Sequence, residues 1–196
     1  MGGAAGSHAA ALAALALPAP HAHTLERYLD LVAAWSERVN LTGARSGAER
    51  VAVLVAPVLA VAPGLEAGSL LDVGSGNGSP GLVLALLRPD LPVTLLEPRR
   101  RRWAFLREAA RAAGRPDIDV LRVRHDGYRG PAAQTVTVRA LRLPLAELAP
   151  LVAPGGRLLA WGHAPAAERG WEPEAAPAPD VHALRRGPDV SRATRR

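Results

Sequence analysis

Several residues in this sequence have the type and spacing for chemistry. In LLDVGSGNGSPGL, residues 70–82, a short apolar run ends at Asp72–Val73 and opens into Gly74, Gly76 and Gly78. Glycines in such a turn accept backbone conformations closed to other residues and let a ligand lie against bare main chain. Pro80 follows, a residue suited to the first turn of a helix. The spacing is Gly-x-Gly-x-Gly rather than the Gly-x-Gly-x-x-Gly of dinucleotide sites, because residue 79 is Ser. The next apolar run, VTLLE, ends at Glu97, 23 residues after Gly74. A carboxylate there can accept hydrogen bonds from both hydroxyls of a ribose. After a third run comes RHDGY, where Asp126 is placed to meet an adenine edge, although Asp-Gly is equally an ordinary turn pair. Directly behind Glu97, Arg99, Arg100, Arg101 and Arg102 open a helical stretch, at the end where the helix macrodipole disfavours cations. Phosphate contact is one reading of that run and a solvated Arg face is the other.

The elements that must position these residues follow from the apolar periodicity. Leu12, Leu15 and Leu17 fit one side of a short helix ended by Pro18 and Pro20. Thr24 is a plausible cap for a helix to about Val39, with Leu25, Tyr28, Leu29, Val32 and Trp35 on one face. Another helix is expected over Ala48–Leu59, interrupted near Pro57. From Ser69, apolar runs at Leu70–Val73, Val93–Leu96, Val120–Val123, Val136–Val138 and Leu158–Trp161 alternate with helical or turn-rich stretches. That alternation predicts a doubly wound α/β fold on a mainly parallel sheet with helices on both faces. The expected organisation is a flexible or partly helical segment over 1–23, a helical part over 24–66, a core over 67–163, and a Pro/Arg-rich tail over 164–196. In the tail only Val181–Leu184 reads as a strand, so the last strands are expected to be incomplete.

Composition bounds the rest. All 24 basic residues are Arg, which lifts the isoelectric point to about 11.2, but the formal charge is only +6. Such a balance permits an anionic partner without demanding one. With no Cys, disulfides and thiolate metal sites are excluded, and the His21–His23 pair has no third ligand at metal spacing. No metal is expected. The apolar run Ala9–Leu17 lacks a preceding basic residue, so no secretory leader is expected, nor any run of membrane-spanning length. A soluble, cytoplasmic monomer is the expectation.

At the level of motifs the chain resembles the RsmG (GidB) family of bacterial small-subunit rRNA methyltransferases. The resemblance is carried by ERYLDLVAAWSERVNLTG, LLDVGSGNGSPGL, TLLEPRRRRWAFLREAARAAG and VRALRLPLAELAPLVAPGGRLLAW. It implies a Rossmann-like class I S-adenosylmethionine-dependent methyltransferase fold. It also implies methyl transfer from S-adenosylmethionine to N7 of a guanine in the 530 loop of 16S rRNA, on the small ribosomal subunit. By position it implies that Gly74, Ser79, His125 and Asp126 contact the cofactor, and with the glycine turn and Glu97 the candidate cofactor site is Asp72, Gly74, Gly76, Gly78, Ser79, Glu97, His125, Asp126 and Arg139. Arg139 would stand at the active-site mouth, against cofactor or RNA, and is the candidate catalytic residue. Arg99–Arg102 and Arg142 are the candidate RNA contacts. The chain departs from the family pattern at Leu54 and Pro57, where a His and an Asp are usual, and at Gly162, where a Lys is usual. Ser36 and Thr135 also replace a usual Asn and Asp.

Guanine N7 has a free lone pair and no proton, so methyl transfer to it needs alignment rather than a general base. Two alternatives remain open on the sequence. One is a methyltransferase of the same fold with another RNA or a small-molecule substrate; the other is a non-catalytic relative that binds cofactor or RNA.

Overall fold

A computed structural model describes residues 5–188. The N-terminal part consists of α1 (Ala5–Ala13), α2 (Ala19–Ser36), α3 (Gly47–Arg50), a π-helical turn at Val51–Val55 and α4 (Ala56–Leu59). The α/β part follows as β1 (Leu70–Val73), α5 (Gly81–Leu87), β2 (Val93–Leu96), α6 (Arg100–Ala112), β3 (Asp119–Leu121), β4 (Ala133–Arg139), α7 (Leu145–Leu148), β5 (Val152–Trp161), β6 (Trp171–Glu174) and β7 (Val181–Arg186). Among the described residues the strands form one seven-stranded sheet of order β3-β2-β1-β4-β5-β7-β6. The first five strands are parallel; β7 runs antiparallel to β5 and to β6.

Central strands are buried on both sides, which is why they read as unbroken apolar runs. Leu70, Leu95, Leu159 and Trp161 face a large cluster shared with α1, α2, α4, α5 and α6. Their neighbours Leu71, Leu96, Leu158 and Ala160 face a smaller one, closed by Leu145, Leu148 and Leu151. On α2 the apolar face is as the spacing predicts: Leu25, Tyr28, Leu29 and Val32 are buried, and Trp35 meets Phe105 edge-on at 5.8 Å.

Several boundaries differ from the sequence expectations. Pro20 does not end a helix but lies in the first turn of α2, where its fixed φ suits the helix and its missing N–H costs nothing. Thr24 is consequently inside α2, its hydroxyl donating to His21 O at 3.0 Å. In the third helical segment the irregularity precedes Pro57: the Ala56 N–H reaches back five residues to Val51 O. Taken whole, Gly47–Gly64 has the length and mean hydropathy, 1.4, of a bilayer span, which corrects the expectation that no run approaches that length. It is apolar because Val51, Leu54, Val55, Val58 and Val61 belong to the core, and Pro57 and Pro63 break its regularity.

β3 starts one residue before, and ends two before, the expected Val120–Val123, because the Glu97 N–H closes the ladder at Leu121 O. The tail is corrected most. Instead of leaving the sheet incomplete it supplies both β6 and β7, with Val181 opposite Trp161 and Trp171 opposite Arg186. β6 lacks an apolar alternation and holds Pro173, which an edge strand tolerates. Polar ties replace burial there: Arg185 bridges Glu66 and Glu174, and Arg157 joins Glu174 at 2.6 Å. The expected flexible start falls partly on residues 1–4, and the tail's end on 189–196, both outside the described residues.

Because β7 is part of the core, truncating the buried Val181 to Ala is expected to destabilise the fold by roughly 2 kcal/mol. A urea titration monitored by far-UV circular dichroism checks this as a lowered midpoint with an unchanged slope.

Candidate functional site

The order of the parallel strands reverses between β1 and β4, and in doubly wound sheets ligands bind in the crevice beyond the strand ends at such a point. The glycine turn lies there. Gly74, Gly76 and Gly78 all have positive φ, at 73°, 51° and 95°. At Gly74 a Cβ would also stand 2.5 Å from Leu141 Cδ1 on the segment after β4, so a side chain there would push the Leu141 tip aside. A cleft of about 360 Å³ opens beside the turn, lined by Gly74, Glu97, Arg102, Val123, His125 and Leu141 among others.

Two buried carboxylates shape this turn. Glu97 is 3% exposed; its Oε2 accepts the Gly76 N–H at 3.0 Å and its Oε1 the Arg99 N–H at 2.8 Å. Each carboxylate oxygen has a further acceptor site, so ribose hydroxyls can still be received. Asp72, 1% exposed, accepts the Thr137 hydroxyl at 2.5 Å across the β1–β4 pair. A Cβ at Gly81 would overlap the Asp72 carboxyl, which accounts for the Gly after Pro80. Burial pushes the Asp72 carboxyl up to about 6, against the opposing effect of the Thr137 hydrogen bond.

The turn is held from outside by the N-terminal helices. Tyr28 is fully buried and donates to Asn77 O at 2.8 Å; burial pushes its phenol up, so it stays a donor. Asn77 donates to Leu41 O at 3.0 Å and accepts the Ser79 N–H. Ser79 Oγ donates to Leu54 O at 2.7 Å and accepts from Arg139 at 2.8 Å. Arg139, half-buried at the end of β4, gives its other terminal nitrogen to Val53 O at 2.9 Å. The main chain at and beside the two altered family positions therefore does structural work: the Leu54 and Pro57 carbonyls accept from Ser79 and Trp161. A carbonyl needs no particular side chain.

The structure separates the residues singled out in the sequence. Asp72, Gly74, Gly76, Gly78, Ser79 and Glu97 are brought together. His125 lines the cleft, but its ring is turned to Glu147, with 2.7 Å between Nε2 and Oε2. Asp126 is exposed, 3.4 Å from Arg124, and stands apart from the cleft lining. Arg139 clamps the loop to the π turn rather than standing free at a mouth. Within the Arg run, Arg99, Arg100 and Arg101 are exposed, whereas Arg102 is half-buried and donates to Asn40 O at 2.8 Å. Arg142 is exposed on the wall of a second cleft of about 640 Å³, between residues 138–148 and the turn 162–168. Leu141 and Leu143 line both clefts. Sequence reasoning gave no site role to Tyr28, Asn77, Thr137 or Leu141; the first, second and fourth lie inside the motifs that carry the resemblance, and Thr137 had no signal.

A family model described as GidB, rRNA small subunit methyltransferase G, matches residues 21–171. The chain belongs to this family. A curated relative named ribosomal RNA small subunit methyltransferase G, from Halorhodospira halophila, is 40% identical over 148 residues, covering 74% of this chain and 70% of the relative. One of the same name from Xanthomonas campestris pv. campestris is 38% identical over 163 residues, covering 83% and 75%. Among solved structures, TrmN from Thermus thermophilus aligns with TM-score 0.55 at 23% identity, over 82% of this chain and 52% of that one. The putative methyltransferase yhhF from Escherichia coli aligns with TM-score 0.54 at 18% identity, over 65% and 81%. These likenesses show the shared Rossmann-like methyltransferase fold. The family match begins within α2, so the helices that hold the glycine turn lie inside it.

The raised Asp72 carboxyl makes a pH prediction. Between its ordinary 3.8 and about 6 the folded chain keeps this proton while the unfolded chain has released it. Stability therefore falls as pH rises through that window, by about 3 kcal/mol in total. Asp72→Asn removes this contribution, so the stability of the variant relative to the native chain should climb from about pH 4 to 6. Urea midpoints of both proteins across that range test it; parallel profiles would refute the shift.

Proposed function

We propose that this chain transfers a methyl group from S-adenosylmethionine to N7 of a guanine in the 530 loop of 16S rRNA, acting as a cytoplasmic monomer on the small ribosomal subunit. The observation that carries the reading is a glycine turn closed by the buried Glu97 at the strand-order reversal, in a chain of the GidB family. The residues present fit the cofactor. Gly74 and Gly76 offer bare backbone, Glu97 retains acceptor sites for a ribose, and Val123, Leu141 and Leu143 offer apolar surface for an adenine.

S-adenosylmethionine supplies an electrophilic methyl carbon on a sulfonium. The chain's own task is geometric, because N7 carries no proton and the attack needs only an in-line approach. Ser79 and Arg139 keep the turn fixed against the π-helical segment, and Leu141 is held over Gly74 by the left-handed Ala140, φ 56°. Such fixed placement contributes to rate by removing motion that would otherwise have to be frozen at the moment of transfer. Arg99 and Arg124 line the same cleft, Arg100 and Arg101 follow exposed on the first turn of α6, and these guanidiniums have the chemistry to pair RNA phosphates.

Labelled methyl from S-adenosylmethionine should enter small subunits purified from a strain lacking this modification, and map to guanine N7. No incorporation beside an active family member would refute the reading. Gly74→Arg is expected to abolish cofactor binding by calorimetry, since the positive φ strains any side chain there and an Arg would displace Leu141 and occupy the cleft. Replacing Arg99, Arg100 and Arg101 together by Ser should flatten the dependence of log affinity on log salt by roughly 2, at about 0.7 per lost phosphate contact. An unchanged slope would remove these residues from the RNA interface.

A further inference from the structure

The second cleft holds chemistry that the cofactor site does not use. Its floor is apolar and buried, formed by Val138, Leu148 and Ala160, and it adjoins the cofactor cleft across Leu141 and Leu143. An apolar surface of that kind can accept the face of a planar base. Arg142, His163 and Glu168, all exposed, complete its lining. Glu168 is the one carboxylate in the lining. Its main-chain carbonyl accepts the Trp171 N–H at 3.2 Å, which fixes the turn into β6. Its carboxylate has no ion-pair or hydrogen-bond partner among the described residues.

We infer that Glu168 is a specificity-determining residue, accepting hydrogen bonds from the N1–H and the N2 amino group of the acceptor guanine. The inference rests on the function proposed above. If N7 faces the methyl donor across Leu141, the Watson–Crick edge of the purine points to the far side of this cleft. Guanine presents two parallel donors on that edge, which match the two oxygens of a carboxylate. Adenine presents a lone pair at N1, which a carboxylate repels, so the same group selects and rejects.

Charge movement strengthens the match. The N7–C bond forms as the C–S bond breaks, its electron pair going to sulfur. The positive charge passes from the sulfonium to the purine, and no proton moves. The N1–H and N2 amino group become better donors as that charge develops, so the hydrogen bonds to Glu168 tighten in the transition state. Interactions that strengthen there raise kcat rather than only lowering KM.

The test uses small subunits reconstituted with 16S rRNA carrying either guanosine or inosine, which lacks only the N2 amino group, at the target position. The native chain should lose roughly tenfold to a hundredfold in kcat/KM on inosine. Glu168→Ala should lose at least as much on guanosine, mainly in kcat, and then show almost no further loss on inosine. Glu168→Gln, which keeps one acceptor and loses the charge, should fall between. Calorimetric affinity for S-adenosylmethionine should be unchanged in both variants, which separates a reading defect from a folding defect. An inosine penalty as large in Glu168→Ala as in the native chain would overturn the assignment while leaving the proposed function intact. If the native chain transfers no methyl to the guanosine subunits, the proposed function fails and this inference with it.

Discussion

A backbone kept bare for a ligand has no side chains of its own at the glycines to hold its shape, and this constraint organises the molecule. Within the turn between β1 and α5 the Gly78 N–H returns to Ser75 O and Asn77 takes the Ser79 N–H, and the remaining ties come from other parts of the chain. Glu97 meets the Gly76 N–H, Tyr28 meets the Asn77 carbonyl, and the Asn77 side chain ties the turn to Leu41. Arg102 reaches the neighbouring Asn40 carbonyl from α6. The helices before the sheet are therefore part of the site's frame, and the family match correspondingly starts among them.

Burial of charge follows the same logic on both sides of the sheet. Asp72 and Glu97 end adjacent strands with almost no exposure, a costly placement unless hydrogen bonds compensate. Glu97 is compensated by two main-chain donors; Asp72 has the Thr137 hydroxyl, and its raised carboxyl shows that burial dominates. Beyond Glu97 the sign of charge reverses, with Arg99 and Arg124 at the cleft and Arg100 and Arg101 exposed at the start of α6. Acidic groups inside and guanidiniums outside suit a nucleoside held within and a phosphate chain running past.

Much of this was legible in the sequence wherever burial produced a pattern. Central strands, the apolar face of α2 and the glycine turn with Glu97 all follow from apolar spacing and from residues whose backbone freedom is special. β6 was not legible, because an edge strand held by pairing with β7 and by Arg–Glu bridges needs no apolar alternation. Pro20 misled because proline suits the start of a helix as well as the end of one. The separation of Arg102 from Arg99–Arg101 was invisible, since its partner is a main-chain carbonyl 62 residues away. Asp126 and Arg139 illustrate the same limit: a motif fixes a residue's place along the chain, but partners decide where its side chain goes.

The π turn at Val51–Val55 has a consequence for how this protein can vary. Such a turn is an α-helix carrying one residue more than its repeat accommodates, and the surplus turns main-chain oxygens outward. Here those oxygens, on Val53 and Leu54, anchor Arg139 and Ser79. Deleting a single residue would heal the helix and leave its apolar character unchanged, yet everything beyond it would rotate by about 100°. The Pro57 carbonyl would leave Trp161, and the anchor for the glycine turn would vanish. In this segment the number of residues is under tighter constraint than their identity. Exchanging a family His for Leu54 can be absorbed where a one-codon deletion cannot.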